Sequence, residues 1–84
     1  MDKMIVEIVC PELARTYEFR ISKKLSAGDG KRKIISEIRG FEQNERFLSG
    51  EGICLFSGRL ECVLREDISF MENGVRSGDV LMLI

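Results

Sequence analysis

Three cysteines, a complete absence of histidine and one Gly-Asp-Gly-Lys run bound the chemistry open to this 84-residue chain. The missing histidine removes the commonest general base, the Ser-His and Cys-His pairs, and the commonest metal ligand together. Cys54 and Cys62 are separated by seven residues and no Cys-x-x-Cys occurs, so zinc would need carboxylates in an arrangement that structural sites seldom take. The cysteines are odd in number and sit in apolar, strand-like runs, so reduced, packed thiols are expected at Cys10, Cys54 and Cys62. Gly28-Asp29-Gly30-Lys31 invites a phosphate-loop reading, but the first glycine of that pattern falls on Leu25 and Arg32 stands where Ser or Thr is required. A turn before a helix fits better. The acid pair Glu66-Asp67 lies among charged neighbours, where carboxylates are normally solvated. The chain is therefore expected to be no enzyme, with no catalytic residue, metal, cofactor or small-molecule substrate.

Composition narrows the partners. With 44% hydrophobic and 32% charged residues the chain reads as a globular protein. Its length suits a single domain over residues 1–84. Thirteen basic and fourteen acidic residues leave a net charge of −1, so no overall field favours nucleic acid or anionic lipid. No run approaches the roughly 18 to 20 apolar residues of a transmembrane helix. Met1-Asp2-Lys3 leads straight into a strand-like pattern without the features of a signal peptide, so a cytoplasmic location is expected.

These residues must be positioned by elements of two periods. Met4, Val6, Ile8 and Cys10 alternate with Ile5, Glu7 and Val9, a first strand whose first set faces the core. Pro11 to Arg15 turns the chain, and Tyr17, Phe19 and Ile21 alternate in a half-buried second strand that returns as a hairpin. Ser26 to Gly30 reads as a loop, with Ser26 or Asp29 as helix cap. Ile34, Ile35, Ile38 and Phe41 then recur at helical spacing, which predicts about three turns of amphipathic helix ending near Gly40 to Asn44. Asn44 to Gly52 is a connecting loop. Ile53 to Phe56 and Leu60 to Leu64 are further strands, joined by a Ser57-Gly58 turn. Asn73-Gly74 and Ser77-Gly78-Asp79 turn into a last strand, Val80 to Ile84, apolar on both faces and so central in its sheet. Because the first strand is nearly as apolar, the two are expected to be parallel neighbours.

This arrangement leaves apolar side chains on the face away from the helix. With Cys54 and Phe56 inward, Leu55 points out, and Val80, Met82 and Ile84 share that outer face with Ile5 and Val9. A contiguous apolar strip marks a partner site, a self-association surface or a place where a loop folds over. The basic cluster Lys23, Lys24, Lys31, Arg32 and Lys33 flanks the helix start, where cations are slightly unfavourable to the dipole. It is either a solvated face balanced by Glu37, Glu42 and Glu45 or a contact for an acidic partner or lipid head groups.

Leu55-Phe56-Ser57-Gly58-Arg59-Leu60-Glu61 resembles the strand and turn of ubiquitin that carry its main recognition patch, and Phe70 to Leu83 resembles its closing segment. The ending, with a Gly-Asp corner and Leu-x-Leu, is similar to bacterial ubiquitin-like proteins of the YukD/EsaB type, which accompany type VII (WXG100) secretion systems. The resemblance implies an α+β β-grasp fold: a five-stranded mixed sheet with one α-helix packed on one face. Conjugated ubiquitins and sulfur carriers extend a flexible Gly-Gly tail. Here the final residue is Ile84, expected to be held in the central strand, which speaks against adenylation or thiocarboxylate chemistry. The function implied is a non-conjugating adaptor that docks a protein partner, a secretion-system component or substrate. The expected anchors are Leu55, Met82, Ile84, Ile5 and Leu13, with Lys31, Arg32 and Lys33 as a secondary contact. A homodimer through the sheet face, and a small ubiquitin-like subunit of a bacterial multicomponent oxygenase, are the alternatives.

Overall fold

The structure, a computed structural model, describes residues 2–42 and 52–84. Strand β1 (Lys3–Cys10) leads through a 3-10 turn at Pro11–Leu13 into β2 (Arg15–Ser22). Ala14 takes φ 52° to reverse the chain, its amide donating to the Pro11 carbonyl at 3.0 Å. Helix α1 (Ala27–Glu42) follows, then β3 (Leu55–Ser57), β4 (Cys62–Val63) and β5 (Val80–Leu83). The sheet order is β2-β1-β5-β3-β4. β1 and β5 run parallel at its centre and every other pair is antiparallel. This is the β-grasp, ubiquitin-like architecture expected from the two apolar strands.

Period 2 in the strands and period 3.6 in α1 bring one set of side chains together. Val6, Ile8 and Cys10 of β1, Phe19 and Ile21 of β2, Leu81 and Leu83 of β5 and Ile34 and Ile38 of α1 are buried in one cluster. The outer face of the sheet lies opposite. Ile84 continues the pairing beyond β5, since its amide donates to the Cys54 carbonyl at 2.9 Å and its carbonyl accepts from the Cys54 amide at 2.7 Å.

Three local expectations change. Ala27 to Gly30 is the first turn of α1, not a loop, and the helix has 16 residues. Ser26 is the cap, its hydroxyl accepting the Asp29 amide at 3.1 Å. The glycines allow this because the segment after β4 presses against the turn: a Cβ on Gly30 would lie 2.3 Å from the ring of Phe70, which is wholly buried. The third strand starts at Leu55 rather than Ile53. The fourth shrinks to Cys62–Val63, because Gly58 to Glu61 forms a turn in which the Leu60 amide donates to Ser57 Oγ and Glu61 takes φ 55°. The loop expected over Asn44 to Gly52 lies outside the described residues except for Gly52.

Candidate protein-docking face

Register places the outer face side by side. Thr16 of β2 pairs with Val9 of β1, Val9 with Met82 of β5, Met82 with Phe56 of β3, and Phe56 with Val63 of β4. Because residues in register share a face, Val9, Met82, Phe56 and Val63 form one apolar row across four strands. Val80 and Ile84 flank Met82 on β5, and Ile5 also faces outward on β1, with Glu7 between it and Val9. Met82 is 37% exposed, Val80 47%, Val63 49% and Ile84 54%. A connected apolar surface of this kind is uncommon on an isolated monomer.

A charged turn closes one end of the row. Arg59 holds Asp79 through two hydrogen bonds, Nε to Oδ1 at 3.0 Å and Nη2 to Oδ2 at 2.7 Å, and its Nη2 also donates to the Gly74 carbonyl at 2.6 Å. Asp79 also accepts the Arg76 amide at 2.9 Å. The hydrogen bonds from Arg59 hold the Asp79 carboxyl below the usual carboxylate range. Gly78 permits this corner by adopting φ 93°, and its amide donates to the Ile5 carbonyl at 2.7 Å. Val9, Phe56, Arg59, Asp79, Val80 and Met82 thereby line an open groove of about 360 Å³.

Three expected anchors, Ile5, Met82 and Ile84, lie on this face. Leu55 does not. It is 3% exposed, pairs with the inward-facing Leu83 and belongs to the core. Ser57, also buried, pairs with Leu81, so β3 is turned by one residue from the expectation and Phe56 takes the outward place. The run Ile53 to Phe56 has no polar residue to mark its phase, and Ser57, the nearest one, spends its hydroxyl on the turn. Leu13 packs against the core cluster from the 3-10 turn.

The basic group is separated from the strip by the thickness of the fold, since α1 covers the opposite side of the sheet. Lys31 is committed internally, its Nζ meeting Glu66 Oε2 at 2.5 Å and donating to the Ile53 carbonyl at 2.9 Å. Arg32 pairs with Asp29 on its own helix, and Lys33 is exposed. Nor does this helix start offer amides to a phosphate: Ala27 and Gly28 donate to the Ile68 and Glu66 carbonyls at 2.8 and 3.1 Å.

One apolar residue is more exposed than its helix pattern suggests. Phe41 is 63% exposed and stacks on Tyr17 with ring centroids 6.0 Å apart, while Tyr17 Oη donates to Glu42 Oε2 at 2.6 Å. Of the three free thiols only Cys10 is buried; Cys54 is half-buried and Cys62 is exposed at the short β4. Burial pushes the Cys10 thiol up. Among the described residues no group of three or more His, Cys, Asp or Glu side chains could hold a metal ion, and no helix is long and apolar enough to cross a membrane.

No protein-family model matches the chain, and no curated protein matches it. Solved structures do. The EccD5 ubiquitin-like domain from Mycobacterium xenopi superposes with a TM-score of 0.79 at 15% identity, over 100% of this chain and 94% of that one. A chain of the MycP5-free ESX-5 inner membrane complex gives 0.77 at 15% identity, over 100% of this chain but 21% of that one. The ubiquitin-like domain of the type VII secretion system protein ECCD1 from Mycobacterium tuberculosis gives 0.65 at 19% identity, over 100% and 99%. The fold is thus that of ubiquitin-like domains.

Proposed function

We propose that this chain acts as a non-catalytic ubiquitin-like docking domain whose outer sheet face binds a protein component of a type VII secretion apparatus, as its resemblance to YukD/EsaB-type proteins implies. The observation that carries the docking role is the outward-facing row Val9, Met82, Phe56 and Val63, in which Met82 and Val63 are exposed, extended by the exposed Val80 and Ile84. Burying the exposed part of one such half-buried side chain against a partner contributes about 1 kcal/mol, so several anchors together are needed for a specific complex. The secretion setting is supported by its structural neighbours, a type VII secretion protein and a chain of an ESX-5 inner membrane complex among them.

A photo-crosslinking residue at position 82 or 63, in the native cell, tests the reading directly. Crosslinks to a membrane-associated secretion component are expected, together with a loss of roughly tenfold or more in binding when Met82→Glu places a charge in the row. A folded Met82→Glu protein that binds the component as well as the parent would remove the strip from consideration. Crosslinks confined to an oxygenase subunit would replace the secretion assignment while keeping the docking face.

A further inference from the structure

A second surface stands apart from the docking face. β2 is an end strand of the sheet, eight residues long and in unbroken register with β1 along its whole length. Edge strands of this kind are usually blunted by proline, lysine, a bulge or brevity. The other end strand, β4, has only two residues; β2 is long and has no proline, lysine or bulge, and its only protection is the charges of Arg15, Glu18 and Arg20. The Lys23 amide donates to the Asp2 carbonyl at 2.6 Å, just beyond the Lys3 and Ser22 pair. Hydrogen-bonded pairs recur at every second residue of an antiparallel ladder. The odd-numbered residues of β2 therefore turn their amides and carbonyls toward β1. Thr16, Glu18 and Arg20 turn theirs, together with the Ser22 amide, to the edge, which is open among the described residues.

We infer that β2 pairs antiparallel with β2 of a second copy, about a two-fold axis at Phe19, to give one continuous sheet. The strand's own charges select this register. With the axis at Phe19, Glu18 of each copy faces Arg20 of the other, and Thr16 faces Ser22. Every residue in these pairs points its amide outward, and with the Ser22 carbonyl already accepting the Leu25 amide at 3.2 Å the register gives about six N–H···O bonds. Moving the axis to residue 18 opposes two glutamates, and moving it to residue 20 opposes two arginines. An axis between residues would match outward-pointing backbone groups with inward-pointing ones. Neither Glu18 nor Arg20 has an ion pair among the described residues. Glu18 also stands directly opposite Glu7 on the outer face, a like-charge pairing that a cation from across the axis offsets. On the inner face the same register sets Phe19 against Phe19 and Tyr17 against Ile21, extending the apolar layer beside the exposed Phe41. An isologous contact of this kind closes on two copies.

Sedimentation of the full chain over a concentration series to about 1 mM, where even a weak dimer is populated, tests the pairing. A monomer–dimer equilibrium is expected. Glu18 and Arg20 are exposed, so variants there should fold, as circular dichroism will verify. Arg20→Glu or Glu18→Arg alone places like charges at both central pairs and should raise the dimer dissociation constant roughly tenfold or more. The double exchange Glu18→Arg with Arg20→Glu should restore the dimer, and an equimolar mixture of the two single variants should form a heterodimer. Met82→Glu, on the sheet face, should leave the dimer intact. A chain monomeric at the highest concentration, a dimer indifferent to the single charge changes, failure of the mixture to recover, or dissociation by Met82→Glu would each overturn the pairing.

Discussion

Leu55 and Met82 are apolar residues on neighbouring strands with opposite roles. Leu55 fills the core beside Leu83, while Met82 stands in the outer row against Phe56. Leu55→Ala should therefore cost about 2 to 4 kcal/mol in urea unfolding, and Met82→Ala about 0.5 kcal/mol or less. Partner binding should show the reverse, unaffected by Leu55→Ala in the folded fraction and weakened by Met82→Ala. The Leu-x-Leu of β5 was legible because its alternation is anchored by the Gly78 turn and by neighbours on both sides. The phase of β3 was not, because four consecutive apolar residues serve either face equally well.

At the scale of the element, α1 begins where its composition argues against a helix. Ala-Gly-Asp-Gly is helical because the turn is clamped from outside, with its amides on the Glu66 and Ile68 carbonyls and the Phe70 ring in the space a Cβ would need at Gly30. Intrinsic propensity favours alanine over glycine by about 1 kcal/mol at any helix interior position. Gly40, with nothing within 4 Å of its would-be Cβ, should show that gain as a higher melting temperature in Gly40→Ala. Gly30→Ala should instead lose about 1 to 3 kcal/mol, because the ring it displaces lies in a filled core. The loss should shrink in a Phe70→Leu background, a coupling that a double-mutant cycle measures. Helical periodicity from Ile34 onward revealed the body of α1, but a contact with a segment more than thirty residues downstream was not visible in local sequence.

For the molecule as a whole, the end of α1 is tied to the edge of the sheet through Tyr17 and Glu42. Burial first, and then the Glu42 carboxylate, push the Tyr17 phenol up to about 12 from its ordinary 10. The folded state thus favours the neutral phenol. Its contribution is complete below pH about 10 and is lost as pH rises through about 12. Parent and Tyr17→Phe should differ by about 1 kcal/mol in denaturant unfolding at pH 9, and the gap should close by pH 12. A gap that persists at pH 12 would assign the difference to ring packing instead of the phenol proton.

Period and composition alone determined that the first and last strands lie at the centre of a mixed sheet, that one amphipathic helix covers one face, and that the first strand buries Met4, Val6, Ile8 and Cys10. Those properties follow from how often an apolar side chain recurs, which each segment records in its own residues. Tertiary structure alone decided that Phe56 rather than Leu55 looks outward, that Lys31 is held by Glu66 rather than offered to a partner, that Leu13 turns to the core, and that β2 lies at an edge of the sheet. Each of these depends on register or on contact between distant segments, and a strand that is apolar throughout, or a charge whose counterion lies far along the chain, carries no local mark of which way it will turn.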